Sequence, residues 1–68
     1  MMSRAYLEHL FAYAHLPPHL QEISKPFHTL AFHLYDQLPH NPEITISLRL
    51  LLQSKDAAVR AKVMKITE

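Results

Sequence analysis

Apolar side chains recur along this chain at spacings of three and four, the period of a helix that buries one face. Three segments follow that period. The first runs from Ser3 to Leu16, where Ser3 suits a helix N-cap and Leu7, Leu10, Phe11 and Ala14 share one stripe. Pro17-Pro18 ends it. The second runs from Pro17 to Leu38, with Leu20, Ile23, Phe27, Leu30, Leu34 and Leu38 as its apolar line. Paired prolines suit a first helical turn, whose N–H groups have no intrahelical partner. Pro26 falls inside this segment, so the spacing predicts either a kink there or a restart capped by Ser24. The third begins at Asn41-Pro42-Glu43, which reads as an N-cap, a first-turn proline and a carboxylate that complements the helix dipole. Nothing breaks it before the C-terminus.

Residues 1–16 are therefore predicted as an N-terminal helix or arm, 17–38 as a first hairpin helix and 42–67 as a second. Pro39-His40-Asn41-Pro42 is a short connection, which favours antiparallel neighbours. The expected fold is all-α, an antiparallel helical hairpin with a short N-terminal helix.

The last segment carries two apolar faces. Ile44, Leu48, Leu51, Leu52, Val59, Val63 and Ile66 make one, and Ile46, Leu50, Ala57, Ala61 and Met64 make the other. A single partner helix covers only one of them. Either the N-terminal helix covers the second, or further copies of the chain do. Size favours the copies: a 68-residue core supplies only ~3–5 kcal/mol on its own, and there is no cysteine to staple it. The fold is thus expected to be completed by homo-oligomerisation. A hydrophobic content of 49% is too high for a disordered chain.

Composition removes several function classes. Glycine is absent, which excludes glycine-dependent phosphate loops. The formal net charge is +1, and Arg49, Lys55, Arg60, Lys62 and Lys65 are spread around the last helix. No basic stripe marks a DNA-binding face, and the tight proline-rich turn does not suit a helix-turn-helix. No apolar run approaches the ~18 residues of a membrane span, and no signal-peptide layout opens the chain, so a soluble intracellular protein is expected.

Six histidines raise the question of a metal. His15 and His19 are separated by Pro17-Pro18, and His28 and His33 point to different helix faces. No carboxylate pattern completes a metal site, so neither metal nor cofactor is expected. No nucleophile motif is present and the chain encloses little volume, so no enzyme is expected either.

Binding is the remaining class. Lys25, His28, Phe32 and Tyr35 flank the apolar line of the second segment, and aromatics beside a cation form a subunit seam or a stacking site for a base. Seam is the plainer assignment for Phe32 and Tyr35. Tyr13, just ahead of the Pro-Pro turn, is either a packing anchor or a platform for a planar ligand. Arg49, Gln53, Asp56 and Arg60 read as a solvated face held by pairs such as Asp56 with Arg60.

The stretch Tyr13-Ala14-His15-Leu16-Pro17-Pro18, then Ser24-Lys25-Pro26-Phe27 leading into Leu30-Ala31, then Leu48, Leu51, Leu52-Gln53 and Ala57-Ala58-Val59-Arg60-Ala61, resembles the phage hairpin-domain family of the anti-CBASS protein 2 and anti-Thoeris 1 sponges. The resemblance implies a small helical homo-oligomer, often a hexamer. Such proteins sequester cyclic nucleotide immune signals, uncleaved, in the host cell cytoplasm. It further implies that Tyr13 stacks on a base of a cyclic dinucleotide such as cGAMP and that Lys25 contacts its phosphates. Arg60 matches the arginine of a separate site for cyclic trinucleotides. The family's hydroxyl residue after the lysine falls near Phe27 here, and Thr29 is the nearest hydroxyl; His28 lies between them. The tryptophan and glycines common in the family's second hairpin helix are absent, and the inter-helix loop is shorter. The other function class is a helical protein-interaction module that uses the second apolar face, from Ile46 to Met64.

Overall fold

A computed structural model of the chain describes residues 2–64. They form three helices and no strand: α1 at Arg4–Phe11, α2 at Pro18–Gln37 and α3 at Pro42–Met64. The expected continuation of the last helix to 67, and Ile66 with it, lie outside the described residues.

Both expected caps form. Ser3 Oγ accepts from the Tyr6 N–H at 3.1 Å. Asn41 Oδ1 accepts from the N–H groups of Glu43 and Ile44 at 3.1 and 3.2 Å. Each satisfies donors that the first helical turn leaves without partners.

α1 stops at Phe11 rather than continuing to Leu16, and Ala14 leaves the stripe for a turn. Ala12 is already extended, with φ −59° and ψ 140°. Leu16 precedes a proline, whose ring disfavours helical backbone at the residue before it. The chain turns there, with the Leu16 N–H donating to the Tyr13 carbonyl at 3.0 Å. The carbonyl of Leu10, orphaned by this early end, accepts from Lys55 Nζ at 2.9 Å.

α2 is not split at Pro26. It runs unbroken through that residue, and no restart occurs at Ser24, whose side chain is fully buried. Pro26 removes one N–H, which would have bonded to the Glu22 carbonyl, and both residues lie on the exposed side of α2.

The core joins Met2, Leu7 and Phe11 to Ala31 of α2 and to Ile44 and Leu48 of α3. Leu10, Phe27, Phe32, Leu34, Tyr35, Leu51 and Leu52 pack around it. The inner line of α2 runs through Leu20, Ser24 and Ala31, so Leu30 and Leu38, expected inside, are 44% and 41% exposed. Ala31 at the centre leaves room for the large side chains of α1 and α3. Phe32 and Tyr35 are claimed within the chain: the Arg4 guanidinium lies 4.9 and 5.9 Å from their ring centres. Arg4 also donates to Asp36 at 2.6 Å, and this bond with the neighbouring charge raises its already high pKa.

The molecule measures 40 × 25 × 15 Å. Its thinnest dimension is little more than one helix diameter of about 10–12 Å. α3 is therefore covered on one side only. Its Ile44–Leu52 face enters the core, whereas Ile46 and Leu50 on the second face are 49% and 59% exposed. Met64 and Val63 are exposed as well, and the N-terminal helix does not cover them.

The core and the α3 cap predict losses of different size on truncation. Leu48→Ala, at a side chain 1% exposed, is expected to cost about 2–5 kcal/mol in urea unfolding. That is comparable with the whole stability of so small a core. Asn41→Ala is expected to cost about 1 kcal/mol through its two lost cap bonds.

Candidate functional site

The five residues singled out from the sequence fall into two places. Lys25, His28 and Thr29 lie on consecutive turns of α2. Residues three and four apart are neighbours on a helix surface, so Lys25 has His28 on one flank and Thr29 on the other. Lys25 and Thr29 line an open trough of about 670 Å³ with Glu22, Pro26, Leu30 and His33. All its lining residues come from α2, which makes it a shallow surface hollow. The outward position of Leu30 and the exposed ring of Pro26 give it a largely apolar floor, with Lys25 and Glu22 as its charged groups.

His28 borders the trough on the side of α1. Its Nε2 lies 3.2 Å from Glu8 Oε1. The Tyr13 ring meets the His28 ring edge-on, with centres 5.2 Å apart and planes at 81°. Phe32 lies behind, its centre 4.7 Å from that of His28. Tyr13 therefore reaches α2 through His28 and does not itself line the trough. Its placement depends on the connection between α1 and α2. There Gln21 Nε2 donates to the Leu16 carbonyl at 2.7 Å and to the Ala14 carbonyl at 3.4 Å. One amide thus holds both flanks of His15.

Arg60 stands apart from these four. It lines a smaller hollow of about 250 Å³ with Ala12, His15, Leu16, Ser24, Lys55, Asp56 and Val59. The pair expected between Asp56 and Arg60 does not form among the described residues. Asp56 lies instead 3.9 Å from Lys55 Nζ.

Lys55 and Ser24 were not among the expected site residues, although a signal existed for both. Each sits on the apolar stripe of its helix: Ser24 four residues after Leu20, Lys55 four after Leu51. A polar residue on a buried stripe needs a partner. Lys55 finds the Leu10 carbonyl, and the Phe11 ring centre lies 5.7 Å from its Nζ. Ser24 Oγ finds none.

No group of three metal-ligating side chains gathers among the described residues, and no helix there is long and apolar enough to cross a membrane. No protein-family model matches the chain, and neither a curated protein nor a solved structure matches it.

Removing the Gln21 amide tests whether it is what holds the Tyr13 segment. Gln21→Leu is expected to speed amide exchange at Leu16 by roughly tenfold, the loss of about one net hydrogen bond. Far-ultraviolet circular dichroism should stay unchanged, because α2 keeps its length.

Proposed function

We propose that this protein binds cyclic oligonucleotide immune signals and holds them without cleaving them, as the resemblance to the phage sponges implies. In this reading α2 and α3 form an antiparallel helical hairpin, several hairpins assemble into a homo-oligomer such as a hexamer, and the protein acts in the cytoplasm of an infected host cell. The observation that carries the reading is the grouping of Lys25, His28 and Thr29 beside Tyr13, with Arg60 in a separate hollow. Two cation-bearing places on one short chain suit two kinds of ligand.

The chemistry of a cyclic dinucleotide fits the first place. It presents two flat bases and two phosphate charges. Tyr13 supplies a stacking ring, and base–aromatic stacking contributes about 1–3 kcal/mol per base. Lys25 supplies a charge-assisted bond to phosphate, about 1.5–3 kcal/mol. Thr29 adds a hydroxyl, His28 orients Tyr13, and Glu22 offers an acceptor to a base amino group. The trough is open, so a second copy related by a two-fold axis would close it and bring a second Lys25 to the same ligand, with Tyr13 stacking at the rim beyond His28. The uncovered face of α3, from Ile46 to Met64, supplies apolar surface for such assembly.

That same face also favours a second reading, a protein-interaction module without a nucleotide ligand. Light scattering separates the two, since a closed oligomer belongs to the sponge and a monomer with a free apolar face to the module. Leu50→Glu is expected to shift an oligomer to smaller species.

The direct test is calorimetric titration with cyclic di- and trinucleotides, followed by release of the ligand by heat and its weighing by mass spectrometry. Lys25→Ala is expected to weaken dinucleotide binding roughly 10- to 100-fold with the oligomer intact. Unchanged binding in that variant rules out the assigned site, and a cleaved ligand rules out a sponge.

A further inference from the structure

The hollow between the α1–α2 connection and α3 holds an excess of hydrogen-bond donors over acceptors. Ser24 is completely buried and its Oγ has no partner. A serine inside a helix ordinarily turns its hydroxyl back to a carbonyl one turn earlier, and this one does not. Lys55 lines the same hollow with a side chain only 12% exposed. An ammonium has three donors. One goes to the Leu10 carbonyl at 2.9 Å, and the nearest carboxylate oxygen, on Asp56, is 3.9 Å away. Arg60 adds a guanidinium with no acceptor, and His15 stands at the same opening.

The neighbouring acceptors are engaged or distant. The carbonyls of Ala14 and Leu16 are taken by Gln21. The Asp56 carboxylate is half exposed and is a single negative charge against two cations. The occupant that matches the lining is rich in acceptors, negatively charged and compact.

We propose that this hollow is a binding site for a small tetrahedral oxyanion, with Ser24, Lys55 and Arg60 as its donors. Inorganic phosphate fits this chemistry: its unprotonated oxygens accept from the donors, its remaining O–H can face Asp56 or solvent, and its charge offsets the surplus cation. Its ligands come from α2 and from two successive turns of α3, so an occupied site ties the helices together and stabilises the fold. The proposal rests on the donors of Ser24, Lys55 and Arg60 and not on the sponge reading, with which it shares only Arg60.

Thermal unfolding of the full chain in increasing inorganic phosphate tests this, with sodium chloride holding ionic strength constant. A ligand that binds only the folded form raises the midpoint saturably. The expected result is such a rise in the natural chain, with the half-saturating phosphate concentration at least tenfold higher in Ser24→Ala and in Arg60→Gln. Arg49→Gln, an exposed cation elsewhere on α3, should leave it unchanged. No saturable rise overturns the proposal, as does an equal rise in chloride alone or an unaltered response in Arg60→Gln. Should Ser24→Ala fail to fold, Arg60→Gln decides by itself, since Arg60 is exposed and outside the core.

Discussion

The Lys55 ammonium sits almost out of water at the last turn of α1 and donates to the Leu10 carbonyl. A helix C-terminus carries partial negative charge and unpaired carbonyls, so a cation there answers both at once. This contact spans most of the chain, from the first helix to the middle of the last. It gives a partner to a carbonyl that the end of α1 leaves without a following turn. It also settles where the chain goes next. The connection must cross from that point to Pro17, which carries Tyr13 to His28 and lets Gln21 hold the two carbonyls beyond it. The hollow with Ser24 and Arg60 lies directly beside the same lysine.

Thinness is the second constraint, and it bears on function more than on stability. Three helices of this length make little more than one layer, so each polar group of interest lies near a surface. The trough with Lys25 and Thr29 has walls from a single helix. A shallow site of this sort binds weakly alone, because water stays in contact with the ligand and screens each charge. A second copy that covers the trough would exclude that water. The uncovered α3 face and the open trough are thus two consequences of one shortage of chain, and the proposed homo-oligomer would answer both.

The aromatic groups along α2 show how neighbouring elements divide the work. Phe32 and Tyr35 pack at the margin of the core and are covered by Arg4, which Asp36 holds over them. His28 and Tyr13 are left at the edge. The flank that looked uniform along the sequence is split into a structural end and an open end by one residue of α1.

What the sequence determined by itself is local in origin. Ser3 and Asn41-Pro42 mark helix starts because a cap bonds to N–H groups two or three residues on. The Ile44–Leu52 stripe, the spacing of Lys25, His28 and Thr29 along one flank, and the second apolar face of α3 follow from helical period alone. The rest depended on contacts between distant residues. Periodicity placed Leu30 in the core, but packing around Ala31 turned it outward. Pro26 looked like a break, yet α2 passes through it on the exposed side of the helix. The meeting of Tyr13 with His28, and of Ser24 with Lys55 and Arg60, required a turn whose direction no local rule specifies. Only the tertiary structure decided these, because a helix fixes which side chains share a face and its neighbours fix which face is buried.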